Sequence, residues 1–287
     1  MEEVNIYNTS QNNNSSLTYD YEYYKQVVFI MKVVTIIIIC ISLPLTLVAI
    51  YAVRSLVKDD HVVPIYVINL LITDLIQLCC VITVVLPVDW ILPWTGMISY
   101  HIYNYCLVAS IGFMVCIALE RYLVIACPLW YRFRRTIKVS VLVCVVVWAL
   151  PAVIFYLLLT GRNSLTIGGI LLLLPLPLLI FFLGGTLKAL SASISVHSDE
   201  KRRIVGMLVL VLLIYTLLFL PSIILFLARG SSDIDEYKLS NLSFTFLKLS
   251  PLADLFLYIF MRKGTIDKLL ASVCCCRMDS DDISSPV

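Results

Sequence analysis

The sequence predicts an all-α membrane protein, a seven-transmembrane helix bundle followed by a short amphipathic eighth helix. Three observations carry that expectation. The 287 residues are 61% hydrophobic and only 14% charged, against roughly 45–50% and about 25% in a soluble domain. A water-facing shell of this length cannot bury so much apolar surface, so the excess must face lipid. The apolar residues also gather into seven stretches, at about 26–53, 62–88, 97–125, 137–159, 167–190, 204–228 and 239–261. Each reaches the ~20 residues that cross ~30 Å of hydrocarbon. Finally, the cations are unevenly shared among the connecting segments. With the N-terminus outside, fifteen of the 21 Lys and Arg fall in inner segments, four outside, and Lys32 and Lys248 within spans. An excess of basic residues marks the cytoplasmic side.

Residues 1–25 form an Asn-, Ser- and Tyr-rich tail with Glu2, Glu3, Asp20 and Glu22 against Lys25. Such a composition buries too little apolar surface to fold alone and predicts disorder. Asn8, Asn13 and Asn14 each open an N-glycosylation sequon, which agrees with an extracellular tail. Tyr19, Tyr21, Tyr23 and Tyr24 stand beside Asp20 and Glu22, and two readings remain open: a sulfate-accepting cluster or a solvated polar tail. No secretory leader precedes the first apolar run. Strands do not compete for the seven stretches, because a single strand leaves its backbone groups unpaired in lipid. Pro44, Pro151, Pro175, Pro177, Pro221 and Pro251 fall inside the spans, where proline is tolerated and marks kinks. The membrane domain thus covers 26–261, and 262–287 form an inner segment. There Thr265 caps a short helix whose Ile266, Leu269 and Leu270 face lipid. Cys274, Cys275 and Cys276 follow as juxtamembrane palmitoylation candidates, the alternative being reduced thiols.

Several function classes are set aside at this stage. A net charge of +2 is too small for nucleic-acid binding. The ten cysteines lack the spaced His and Cys partners of a zinc site. No nucleophile–base set suggests an enzyme.

The chemistry-bearing residues cluster at the end of the third stretch. An apolar run meets Glu120-Arg121-Tyr122, then Pro128-Leu129, then Arg132, Arg134 and Arg135. A lone arginine is costly inside a membrane, so Glu120 is the natural partner of Arg121. Asp74 and Asp254 are intramembrane carboxylates, which read as functional. They suit a hard cation or, alternatively, one shared proton.

Seven spans, an outside N-terminus and Glu120-Arg121-Tyr122 before Pro128-Leu129-Trp130-Tyr131 resemble the rhodopsin-like (class A) G-protein-coupled receptors. The chain is similar to members of the branch that takes lipids, nucleotides or peptides. Asn69-Leu70-Leu71-Ile72-Thr73-Asp74-Leu75 is similar to the second-span motif of that family. Trp148 with Pro151 resembles its fourth span, Tyr215 to Pro221 its sixth, and Asp254-Leu255-Phe256-Leu257-Tyr258 its seventh. The resemblance implies that activation frees Arg121 to meet a heterotrimeric G protein, with Tyr258 swinging inward. It makes Leu129 an apolar knob on the G-protein surface, Pro128 the shaper of its loop, and Phe219 with Pro221 a toggle and kink. It implies a sodium ion among Asp74, Ser110, Ser250 and Asp254, and no other cofactor. It implies plasma-membrane localisation and an extracellular ligand, met by Tyr100, Tyr103, Asn104 and Leu107 of the third span. Arg162 and Arg229 at the mouth and Lys248 within the bundle suit an anionic small molecule, a lipid or a peptide, the alternative for the two arginines being anchors at lipid headgroups. Lys248 lies where opsins carry the retinal lysine, yet a counter-ion is absent from the outer third span, so an ion pair or an anionic ligand is preferred to a Schiff base.

Departures from the pattern are equally definite. Thr46 stands where the family has asparagine, Leu255 where it has proline, and Lys201 where an acid often clasps the arginine. The outer disulfide is missing on both sides: Gly96 stands near the third-span position, and residues 160–166 hold no cysteine. These departures leave as alternatives a scavenging or constitutively active relative without regulated ligand signalling, or a seven-helix transporter.

Overall fold

A computed structural model describes the backbone of residues 2–58, 65–85, 94–129, 131, 136–160, 164–192, 198–228 and 236–261, with side chains over 25–53, 65–83, 85, 94–129, 131, 136–157, 168–191, 204–225, 240 and 242–259. All described elements are helices. Seven of them are long and apolar enough to cross a membrane: Lys25–Val53, Ile65–Thr83, Thr95–Ala126, Ile137–Leu157, Gly168–Ser191, Ile204–Leu225 and Leu242–Ile259. They coincide with the seven predicted stretches to within a few residues.

The first span differs at its start. Residues 1–25 are expected to be irregular, yet one helix runs unbroken through Glu2–Lys58. Residues 1–25 hold neither Gly nor Pro, so nothing stops a helix once the apolar segment has nucleated it. Propagation adds one hydrogen bond per residue ordered, whereas nucleation is the costly step.

The spans pack in chain order into a closed ring, the seventh returning against the first and second. The third span lies inside the ring and touches the second, fourth, fifth and sixth. Its Ala109, Phe113, Met114, Ile117 and Ala118 are wholly buried. The fourth span instead displays Leu142, Val145, Val146, Val153 and Tyr156. An apolar face that broad is stable only against lipid.

Two close approaches set the spacing around the third span. A Cβ on Gly112 would lie 2.7 Å from Val147 Cγ1 of the fourth span, and one on Gly185 of the fifth span 2.6 Å from Tyr122 Cε2. Small residues at such crossings let backbones approach, which replaces the hydrophobic drive that lipid removes. A polar knot joins the second, third and fourth spans. Trp148 Nε1 donates to Asn69 Oδ1 at 2.9 Å, Asn69 Nδ2 donates to Ile65 O at 2.9 Å, and Tyr105 OH donates to Trp148 O.

Two spans are interrupted where proline predicts it. The fifth is divided at Leu174, between helices Ser164–Leu173 and Pro175–Ala192. The seventh is divided at Leu249, between Glu236–Lys248 and Ser250–Met261. Pro251 has no N–H to give Leu247 O, and Leu249 N turns to Phe246 O at 3.0 Å instead, a tighter turn. Pro44, Pro151 and Pro221 lie within continuous helices.

Candidate functional site

At one end of the bundle the third helix stops at Ala126. Pro128 is the cause, since its ring disfavours the helical conformation at the preceding residue. Cys127 accordingly takes φ −138°, ψ 61°. The chain turns back enough for Tyr131 OH to donate to Glu120 Oε1 at 2.6 Å. Glu120 is buried and Arg121 half-buried beside it. The contact from Tyr131 was not foreseen, because helical spacing cannot be carried past Pro128. Tyr122 stacks on Phe182 of the fifth span at 5.7 Å and 27°, and meets Phe181 at 5.8 Å. It fills the space that Gly185 leaves open. Leu129 is 74% exposed and projects from the turn beside Pro128. Tyr258 is half-buried near the same end of the seventh span.

Deeper in the bundle the structure brings together the two intramembrane acids. Asp74 and Asp254 are fully buried, and their carboxyl groups face each other closely enough to interact. Ser250 Oγ donates to Asp254 Oδ2 at a long 3.5 Å. Ser110 is buried too, but its hydroxyl donates to Leu107 O at 2.9 Å within its own helix. Both oxygens of Asp74 and Oδ1 of Asp254 have no conventional hydrogen-bond partner among the described residues. The same holds for the hydroxyl of Thr46 and for both side-chain polar atoms of Gln77. Gln77 stands three residues beyond Asp74 on the second span, a proximity that helical spacing alone could have signalled.

Phe219 is buried and stacks on Tyr215 at 4.9 Å and 24°. Tyr215 OH donates to Leu172 O, just before the break in the fifth span. This tether between the fifth and sixth spans is invisible in the sequence.

At the opposite end, Tyr103 and Leu107 are buried while Tyr100 is half-exposed. Asn104 Nδ2 donates to Tyr100 O at 2.7 Å, and Tyr100 meets Phe244 of the seventh span edge-on at 6.5 Å. Tyr103 OH has no partner among the described residues. Lys248 Nζ donates to Thr35 Oγ1 of the first span at 3.2 Å. The ion pair considered for Lys248 is therefore not what the described residues provide; a neutral hydroxyl meets it instead. A cavity of about 430 Å³ opens elsewhere, between the third and fourth spans, lined by His101, Ile102, Tyr105 and Phe155. Arg162, Arg229, the side chains of Asn8, Asn13 and Asn14, the eighth helix and Cys274–Cys276 lie outside the described residues.

The profile of the family described as "7 transmembrane receptor (rhodopsin family)" matches residues 45–169, from the first span into the fifth. The chain is 25% identical to human G-protein coupled receptor 68 over 90% of its own length and 79% of that protein's. It is 25% identical to rat proteinase-activated receptor 2 over 85% and 72%. A shorter stretch is 31% identical to mouse Mas-related G-protein coupled receptor member A4, covering 31% of this chain and 30% of that one. The partial family match, the relatives aligned along most of the chain and the seven apolar spans together make the chain similar to seven-transmembrane receptors of the rhodopsin-like kind.

Proposed function

We propose that the chain passes the binding of an extracellular ligand to a heterotrimeric G protein, from a plasma-membrane position with the N-terminus outside. The observation that carries this reading is the end of the third span: a buried Glu120, a half-buried Arg121 and a solvent-exposed Leu129 on one short stretch. An apolar side chain so exposed, next to an arginine held by its surroundings, suits a partner that docks on a moved bundle. Two arrangements of the helices exchange, and each ligand stabilises the one it binds better. Tyr131 keeps Glu120 engaged in the arrangement described, and outward movement of the sixth span frees Arg121. Charge asymmetry supports the orientation. On that orientation Asn8, Asn13 and Asn14 are glycosylated outside, and Cys274, Cys275 and Cys276 carry palmitate inside.

The ligand-binding region lies between the outer ends of the spans, with Tyr103, Leu107, Asn104 and Tyr100 on the third span and Lys248 on the seventh, its Nζ turned to Thr35 of the first. Arg162 and Arg229 are assigned to its mouth. The cations select an anionic small molecule, lipid or peptide. The residues present also fit a sodium ion. The oxygens of Asp74 and Asp254 that lack partners among the described residues are hard donors in a buried setting, and the buried hydroxyls of Ser110 and Ser250 are further oxygen ligands for it. When bound, that ion supplies positive charge between two carboxylates that cannot both be buried as anions otherwise.

The test is guanine-nucleotide exchange by a purified G protein on membranes holding the full chain. Arg121→Ala is expected to remove most of the exchange while surface expression and glycosylation persist. Unchanged exchange overturns the coupling role, and substrate flux without exchange points to transport instead.

A further inference from the structure

Lys248 is a cation inside the membrane whose described partner carries no charge. Thr35 is 3% exposed, and its hydroxyl gives its own proton to Met31 O at 2.6 Å while accepting from Lys248 at 3.2 Å. An ammonium has three donors. Thr35 therefore satisfies one of them and neutralises nothing. A second lysine shares this side of the first span. Lys32 lies one turn outward from Thr35 on the first span, at the i, i+3 spacing that makes helix neighbours, and it is exposed. It stands six residues into the apolar stretch of 26–53, about 9 Å of helix rise. Among the described residues, no carboxylate pairs with either lysine. Two like charges at this depth call for an anion.

The surface beneath them says what carries that anion. Ile36, Cys40, Leu43 and Leu47 follow Lys32 at i+4, i+8, i+11 and i+15, one face of the helix running inward. Ile36 is 44% and Leu47 50% exposed. This row is apolar and open except at the half-buried Leu43, and it begins at the cations. A hydrated free anion would have to shed its water to reach that depth, whereas a lipid brings a tail that fits the row.

We propose that the outer junction of the first and seventh spans binds an anionic phospholipid, with its phosphate between Lys248 and Lys32 and one acyl chain along the Ile36–Leu47 face. The site deepens the reading of Lys248 as an anion contact and rests on it, but it does not require G-protein coupling.

The test uses the full chain in nanodiscs of phosphatidylcholine containing phosphatidylglycerol, with native mass spectrometry counting the lipids that stay bound after the disc is removed. One phosphatidylglycerol is expected to be retained in preference to phosphatidylcholine. Lys248→Met and Lys32→Gln are each expected to lower that preference about fivefold, the effect of roughly one lysine–anionic lipid contact. Lys32 is exposed, so its variant reports on the site even if Lys248→Met loosens the fold. Equal retention of both lipids by the wild type, or an unchanged preference in both variants, overturns the proposal. Displacement by millimolar inorganic phosphate also overturns it, since the head alone would then account for binding. Nucleotide exchange measured on the same discs is a separate readout, so loss of exchange with intact lipid retention indicts the coupling reading and not this site.

Discussion

At the scale of single residues, the site at the Glu120 end of the bundle depends on side chains that have almost no slack. Gly185 is the clearest case, because a Cβ there would lie 2.6 Å from the Tyr122 ring. Tyr122 is itself pinned by Phe181 and Phe182, so the added methyl has to displace a packed ring. Gly185→Ala is expected to cost about 1–3 kcal/mol of stability, typical of overpacking a filled core. Thermal unfolding in detergent checks this, and Gly184→Ala is the control, since nothing lies within 4 Å of a Cβ at that position. Trp148 gives a second residue-scale prediction. Its indole N–H is held by Asn69 Oδ1 at 2.9 Å. Asn69→Ala leaves that donor buried without a partner. Hydrogen bonds between membrane helices average about 0.6 kcal/mol and reach ~1.7 kcal/mol. Asn69→Ala is expected near the upper end, because Asn69 also bonds Ile65 O and Cys144 Sγ. A double-mutant cycle with Trp148→Phe isolates the Asn69–Trp148 share, and a coupling of zero refutes it.

At the scale of elements, the fifth and sixth spans are tied where the fifth is weakest. Pro175 and Pro177 lack the N–H groups that Leu171 O and Leu173 O would accept in a regular helix. The chain breaks at Leu174, and Tyr215 OH reaches the neighbouring Leu172 O. The stacked Tyr215–Phe219 pair thus couples the sixth span to a bend in the fifth. Outward movement of the sixth span must break that bond or drag the bend with it. Tyr215→Phe keeps the ring and removes the tether. If the tether favours the resting arrangement, basal nucleotide exchange rises about three- to eighteenfold, the range set by one interhelical hydrogen bond. An unchanged basal rate would show that the bond persists in both arrangements. The seventh span has a comparable joint at Leu249 and Pro251, one turn from Asp254. Leu255 continues as helix and is 5% exposed, so the seventh span bends ahead of Asp254 and not at it.

At the scale of the whole molecule, buried polar groups are concentrated where helices from opposite sides of the ring meet. Asp74 on the second span, Asp254 on the seventh, Ser110 on the third and Thr46 on the first are all buried. A cation held there, as proposed, would stabilise the folded bundle by RT ln(1 + [L]/Kd), about 1.4 kcal/mol at tenfold excess over Kd. Replacing sodium with a large organic cation at constant ionic strength is expected to lower the unfolding temperature by a few degrees. Asp74→Asn is expected to abolish that sodium dependence. Equal unfolding temperatures for the wild type in both salts would exclude a sodium site of that affinity.

The division between what was legible in the sequence and what was not follows from how membrane helices form. Each span satisfies its own backbone hydrogen bonds, so its existence depends only on local hydrophobicity and length. All seven spans were readable for that reason; the prolines within them were not equally telling, since the helix is interrupted beside Pro175 and Pro251 but continuous through Pro44, Pro151 and Pro221. Recurrent motifs made the pairing of Asp74 with Asp254 and the kinship of the chain readable as well. The helical course of residues 2–25 was not, because composition speaks to burial and not to propagation from an adjoining helix. Nor were the contacts of Tyr131 with Glu120, Tyr215 with Leu172, and Lys248 with Thr35. These pairs depend on how far each helix is rotated and how closely its neighbour approaches. Rotation and approach are set by Gly112, Gly185 and the proline breaks acting together, so only the assembled bundle decides which polar groups meet.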